Sequence, residues 1–436
     1  MHIKRLNADH TSFESSLQEV LASRHDPTAG SEVEARVRSI VEDVRQNGNR
    51  ALIHWTQELD GWTVDAAEQF ELNQSEMRQI AATVDPQICR DLALAAQRIR
   101  RFHEEQREQS WTIISEYGIT LSQRCTPLRS VGVYVPGGTA AYPSTVLMNV
   151  VAAKTAGVSK IVMVTPAPKG QVSPVVVAAA LEAGVDRIYR VGGAQAIAAL
   201  AFGCTDIPKV DKIVGPGNQW VAAAKRHVYG VVDIDMIAGP SELCVVATHE
   251  GGATARQLAA DLLSQAEHDP QAMVSFLSPE ADLIEQVCQS LEEQLQTLPR
   301  RAIAEASLKN WGCVIQTPDL DHALRLANRI APEHLELVIP DAEELSHQID
   351  SAGAIFCGPH TPEAVGDYLA GPNHVLPTSG TARFFSPLGV YDFVKRTNVI
   401  RFTKEGINSL GPVTMRLART EGLEAHALSI STRLEK

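Results

Sequence analysis

Apolar residues recur along this chain with two different periods, and the change between them divides it. Up to about residue 110 the pattern is helical. Ser31 to Gln46 mixes acidic, basic and apolar residues at helical spacing, and Ile88 to Glu108 reads as a long amphipathic helix. Asp60-Gly61 marks a turn between helical segments. From Val131 short β-branched runs take over: Val131 to Val135, Lys160 to Thr165, Arg187 to Val191, Lys212 to Val214 and Val231 to Asp235. Ala- and Val-rich stretches of helical length separate them, Ser144 to Ala156, Pro174 to Ala183, Ala194 to Phe202 and Gln219 to Tyr229. Strands alternating with helices of that length predict βαβ units and a mostly parallel sheet.

The alternation resumes with Leu243 to Ala247, Met273 to Ser278, Cys313 to Gln316, Leu335 to Ile339 and Ala354 to Cys357. An α/β fold of two Rossmann-like modules is therefore expected. One spans 131–242; the other spans 243–390 and is completed by residues 1–130 with their helices. After about residue 390 the strands are expected to stop. Met415 to Leu428 reads as a short helical tail broken at Gly422, within a segment 391–436 too small to hold a core of its own. It must pack on something else.

Length, charge and cysteines narrow the class. A chain of 436 residues, 44% hydrophobic and 21% charged, is that of an ordinary globular enzyme with room for sizeable cores. A net charge of −13 argues against a nucleic-acid binder, which wants a basic face. No apolar run approaches the roughly 18 residues of a membrane helix. Met1 to Asn7 lacks the apolar core of a signal peptide, so the cytoplasm is the expected compartment. The 7 cysteines are scattered without a Cys-x-x-Cys pair and read as reduced thiols. A metal here would have to use nitrogen and oxygen ligands.

Against that background a few polar residues stand out. Gln265 and His268 lie three apart in a helical segment after Leu262-Leu263, so an amide oxygen and an imidazole share a face and both suit a borderline cation. Alone, such a pair is more often a solvated face. Glu333-His334 sets a carboxylate beside an imidazole just before a strand, the residue types of general acid–base chemistry, although acidic residues also simply open helices. Asp367 and His426 are further candidate ligands. Pro136-Gly137-Gly138, Gly192-Gly193-Ala194-Gln195 and Gly215-Pro216-Gly217-Asn218 follow strands and lead into helices, where αβ sheets bind ligands. Gly215-x-Gly217 lacks the third glycine of the dinucleotide fingerprint, which here is Trp220, and reads equally well as a plain turn.

Taken together these segments closely resemble the histidinol dehydrogenase family. The matching stretches are Gly132 to Gly138, Val191 to Ala196, Val214 to Asn218, Ile237 to Glu242, Leu262 to His268, Ala331 to Leu335, Gly366 to Tyr368, Gly371 to Pro377 and Glu421 to His426. Order and spacing hold from about residue 125 onward; the first hundred residues match in texture only.

The resemblance implies a duplicated architecture like that of aldehyde dehydrogenases and oxidation of L-histidinol to L-histidine in two NAD-dependent steps through L-histidinaldehyde. It implies one Zn2+ per subunit on Gln265, His268, Asp367 and His426. Ser241, His334, His374 and Glu421 would contact substrate together with the zinc ligands, and Tyr134, Gln195 and Asn218 would hold NAD. His334 would be the general base and Glu333 would activate water. It further implies a homodimer in which each tail completes its partner's site. Rival readings are a zinc hydrolase using Glu333, a thiol-dependent aldehyde dehydrogenase and a non-catalytic metabolite binder. No cysteine adjoins a base or a glycine-rich elbow, which disfavours the second.

Overall fold

The computed structural model describes residues 3–22, 24, 31–137 and 141–434. Gly138, the last glycine of the first turn singled out above, lies outside them. The strands in chain order are β1 (Lys4–Asn7), β2 (Glu71–Leu72), β3 (Trp111–Ile114), β4 (Thr120–Pro127), β5 (Ser130–Tyr134), β6 (Lys160–Val164), β7 (Arg187–Tyr189) and β8 (Lys212–Val214). They continue with β9 (Asp233–Ile234), β10 (Glu242–Ala247), β11 (Met273–Ser278), β12 (Cys313–Gln316), β13 (His334–Val338), β14 (Ala354–Cys357) and β15 (Val394–Arg401).

Two six-stranded sheets carry the fold, in the orders β2-β7-β6-β5-β8-β9 and β1-β12-β11-β10-β13-β14. All pairs in the second are parallel, and in the first only the β2–β7 edge is antiparallel. Each sheet has apolar clusters on both faces, so the expected pair of αβα modules is present. The helix Pro143–Ala156 shows why its stretch of sequence has no polar face: ten of its residues, from Thr145 through Thr155, are buried between the sheet and other helices. Among the described residues no helix is long and apolar enough to cross a membrane.

The N-terminal helices do not follow the expected division. Among the described N-terminal strands and helices, only β1 and the helix Phe13–Ala22 pack on the sheet of the 243–390 module, β1 pairing with β12 and Phe13 and Leu17 lying in its apolar cluster. The helices from Ser31 to Glu104 cover the 131–242 module instead. Val37, Ile40, Val44 and Leu52 pack on one face of its sheet and Ala95, Ala96 and Ile99 on the other. Amphipathic spacing says that a helix face must be buried; it does not say against which sheet.

Nor do the strands stop at residue 390. β15 runs antiparallel to β4 through eight residues, Val394 opposite Pro127 to Arg401 opposite Thr120, and β3 adds to the other edge of β4. This ribbon has no core. Trp111, Ile113, Ile114, Val399 and Ile400 are exposed, and Val-Lys-Arg-Thr-Asn-Val-Ile-Arg has too little alternation to announce a strand. The tail follows as the helices Lys404–Thr420 and Glu424–Ser431, separated at Gly422 with φ 75°.

Candidate active site

The two sheets meet across a cleft of about 640 Å³ lined from both modules. One wall comes from the carboxyl ends of the first sheet, where Pro216, Gly217 and Asn218 follow β8. The other comes from the amino ends of the second, where Ser241 precedes β10 and His334 opens β13. His334 lies opposite Leu243 in register, so Ser241, Glu242, Glu333 and His334 are neighbours on two adjacent strands.

The base of this second wall is tied down by buried charge. Arg24 forms an ion pair with Glu242 through its Nη2, donates from Nε to Glu242 Oε1 at 2.8 Å, and donates to the Ile330 carbonyl at 2.9 Å. Ser379 N also donates to Glu242 Oε1, at 3.1 Å. Nothing in the sequence pattern linked Arg24 to Glu242. The Gly215 turn is clamped in the same manner: Asp235 Oδ2 accepts from Gly215 N at 2.7 Å while Lys225, paired with Asp235, donates to the Gly215 carbonyl at 3.1 Å. Gly215 has φ 110°, and a Cβ there would stand 2.1 Å from the Tyr134 carbonyl oxygen. Only glycine fits.

Glu333 and His334 are both buried in the cleft wall. Glu333 Oε2 accepts from Glu242 N at 2.8 Å and lies 3.7 Å from His334 Nδ1, which is 3.0 Å from the Glu242 carbonyl oxygen. Burial raises the Glu333 carboxyl well above its usual range, and the nearby Glu242, Asp367 and Glu363 carboxylates add to the rise against the Glu242 N–H bond. Burial lowers the His334 imidazole to about 4.

Gln265 lies in the last turn of the helix Ala255–Ala266, which opens with a Thr254–Gln257 capping box. The helix stops two residues before His268, so the expected shared helical face gives way to a turn with His268 N bonded to Gln265 O at 3.2 Å. Gln265 is wholly buried, whereas the His268 side chain is 40% exposed. Asp367, on the helix Glu363–Tyr368, stands between two imidazoles: Oδ2 is 4.0 Å from His268 Nε2 and Oδ1 is 3.5 Å from His374 Nδ1. Burial alone would raise the Asp367 carboxyl, but the His374 hydrogen bond and the nearby imidazoles outweigh it and hold it below its usual range.

A carboxylate that the sequence reading passed over joins this group. Glu363 is buried, and one of its oxygens lies within 4.8 Å of ligand atoms of both His268 and Asp367. It sits four residues before Asp367, the spacing that sets two side chains on one helix face, and that signal could have found it. Gln265 is left with neither amide atom partnered although both are buried. An orphaned amide beside imidazole and carboxylate oxygens, with no thiolate, fits a divalent cation of zinc's type.

The nucleotide candidates fall in two places. Asn218 lines the cleft and caps the helix Gln219–Val228, its Oδ1 accepting from Trp220 N and Val221 N at 3.1 and 3.2 Å. Tyr134 and Gln195 sit together farther back. The Tyr134 hydroxyl accepts from Gly193 N at 3.3 Å, and the wholly buried Gln195 has no partner for either amide atom. A second orphaned amide at a glycine turn fits a polar ligand entering there. Glu421 and His426 are exposed on the tail, do not line the cleft, and are not brought to it within one chain. No cysteine lines the cleft, and burial pushes the Cys313 thiol up to about 12.

The model of the histidinol dehydrogenase family matches residues 23–434. The chain belongs to the histidinol dehydrogenase family. The histidinol dehydrogenase of Syntrophotalea carbinolica is 50% identical over 433 residues, covering 99% of each chain. That of Nitrosomonas europaea is 49% identical over 433 residues, again 99% of each. The crystal structure of histidinol dehydrogenase from Elizabethkingia anophelis superposes with a TM-score of 0.92 at 34% identity, covering 99% of this chain and 98% of that one. The likeness to family members therefore extends through the N-terminal hundred residues, beyond the stretch whose motifs match in order and spacing.

Proposed function

We propose that the protein oxidises L-histidinol to L-histidine in two successive NAD-dependent steps through L-histidinaldehyde, the last step of histidine biosynthesis, as a cytoplasmic homodimer. The observation that carries this reading is one cleft lined both by the His334 imidazole, kept neutral by burial, and by the imidazole, carboxylate and orphaned amide of His268, Asp367 and Gln265.

Gln265, His268 and Asp367 would hold Zn2+, with His426 of a second copy as fourth ligand. Zinc, when bound, supplies a fixed anchor that orients the substrate's imidazole and amine. Tyr134, Gln195 and Asn218 would hold NAD, which supplies the hydride acceptor. Ser241, His374 and Glu421 would contact substrate along with His334 and the metal ligands.

The protein's own groups then divide the proton chemistry. A carbonyl can only accept, so the 3.0 Å contact to Glu242 O puts the His334 proton on Nδ1 and leaves the Nε2 lone pair for the alcohol proton. Glu333, a strong base once ionised, takes a proton from the water that adds to the aldehyde carbon. His334, protonated in the first oxidation, returns that proton to the carbonyl oxygen as the hydrate forms and takes the hydroxyl proton of the hydrate in the second oxidation.

The tail supports a shared site. Its helices expose Val413, Leu417, Leu423 and Leu428, and the neighbouring ribbon exposes Ile114 and Ile400, an apolar surface that one chain does not cover. The test of the whole reading is stoichiometry: two NADH formed for each histidinol consumed, with histidine as product. One NADH per histidinol, with the aldehyde accumulating, would overturn the two-step reading.

A further inference from the structure

Behind the metal cluster lies a line of carboxyls, the half-buried Asp261 and the buried Glu336 and Glu363, leading to Asp367. Glu363 is the member that reaches the candidate ligands His268 and Asp367. It is 1% exposed and held on two sides: Ser264 Oγ lies 2.8 Å from its Oε2, and its backbone N–H donates to Glu336 Oε1 at 2.6 Å. Its other oxygen, Oε1, is buried without a partner. The helix Ala255–Ala266, which carries Gln265 one residue beyond Ser264, packs directly against the helix Glu363–Tyr368.

An amide that ligates a cation through its oxygen turns its NH2 group away from that cation, and in a dry site the NH2 must donate to something. Among the buried unpartnered polar atoms of this module, three residues besides Gln265 offer an acceptor: Thr248, Glu336 and Glu363. Thr248 follows the carboxyl end of β10, the end remote from the cleft. Glu336 holds the Glu363 main chain through its Oε1 and is not in the group that gathers with His268 and Asp367. Glu363 Oε1 is left, on the helix packed against the one that carries Gln265, and one Glu363 oxygen lies within 4.8 Å of ligand atoms of His268 and Asp367.

We propose that Glu363 is a positioning residue for the metal centre, its free Oε1 accepting a hydrogen bond from the Gln265 NH2 and so aiming the Gln265 oxygen at the cation. The inference rests on Gln265 being a metal ligand. A carboxylate behind an amide does for that amide what a carboxylate behind an imidazole does in many zinc sites, fixing its orientation and making its ligating atom more basic.

Zinc affinity measured by equilibrium dialysis on the full-length protein tests this in two backgrounds. Glu363→Ala should weaken zinc binding by roughly 10- to 100-fold in the wild-type chain. In a Gln265→Ala background the same change should have no further effect, because its target is gone. Glu363→Gln retains an acceptor oxygen at nearly the same place and should recover most of the affinity. Equal losses in both backgrounds, or a Glu363→Gln loss as large as that of Glu363→Ala, would overturn the inference, since Glu363 would then act on the cation directly by charge. A wild-type protein that binds no zinc would sink the metal reading itself, and this inference with it. The thermal midpoint of each metal-free variant shows whether its fold survives.

Discussion

The imidazole of His334 is tied at Nδ1 to the main-chain carbonyl of Glu242, 3.0 Å away, on the neighbouring parallel strand. The same residue's N–H, at 2.8 Å, holds Glu333. Base and carboxylate are thus oriented by one peptide segment, which Arg24 anchors from below. Orientation by main chain rather than by a second side chain means that neither group can turn without giving up its bond to a buried, strand-held peptide.

From this arrangement His334→Asn should keep a donor to the Glu242 carbonyl and lose the basic nitrogen. Both half-reactions should slow by roughly 10²- to 10⁴-fold, because each hydride departure needs a proton acceptor. Single-turnover NADH formation from histidinol and from supplied histidinaldehyde measures the two separately. A loss confined to one of them would count against a common base.

Glu333→Gln retains an acceptor for Glu242 N and removes the base for water. Oxidation of supplied histidinaldehyde should fall more than the first oxidation of histidinol. Equal losses in the same two assays would remove the division of labour between Glu333 and His334.

Metal binding through an amide, a carboxylate and imidazoles, without thiolate, should be weaker than at a structural cysteine site and open to chelators. Treatment with a chelator should abolish turnover, and added zinc should restore it. His268→Asn should weaken zinc binding while circular dichroism shows the fold intact. Full activity in a preparation verified free of metal would end this reading.

Exchange of tails between two copies makes a quantitative prediction. A His268→Asn subunit has a damaged cluster and an intact tail, and a His426→Asn subunit the reverse. Co-refolded in equal amounts they pair at random, so about half the dimers are mixed, each with one whole site of two. Activity should recover to roughly a quarter of wild type. Were the tail to serve its own chain, no site would be whole and the mixture would stay inactive.

Asp60 offers a pH test away from the catalytic groups. Its carboxyl is partly buried at the end of the helix Asn49–Asp60, with Oδ2 unpartnered, and burial pushes its pKa from 3.8 up to about 6. A carboxyl raised in the folded state binds its proton more tightly there than in the unfolded chain. Its contribution is therefore favourable at low pH and is lost as pH rises from about 4 through about 6. Asp60→Asn should raise the thermal midpoint at pH 7.5 and change it little at pH 4. A lower midpoint for the variant at pH 7.5 would show that the charge is held by an interaction that burial alone does not describe.

Much of this was legible along the chain. Periodicity located the strands of both parallel sheets from Val131 to Cys357, because residues buried on both faces must be continuously apolar, and such runs need no partner to be recognised. The break at Gly422 was equally readable, since a left-handed turn asks for glycine. Residue types and spacings singled out Gln265, His268, Glu333, His334 and Asp367, which the fold gathers around one cleft. What local pattern could not carry was pairing. Which sheet the helices from Ser31 to Glu104 cover, that β15 lies against β4, and that Arg24 meets Glu242 all depend on contacts between residues far apart in sequence. The same holds for the role of Glu363: its spacing from Asp367 sets the two on one helix face, but burial beside Ser264, with one oxygen left without a partner, is visible only in the fold. Hydrophobic period is a property of one segment, whereas an ion pair, a sheet edge and an orphaned oxygen are properties of two segments brought together.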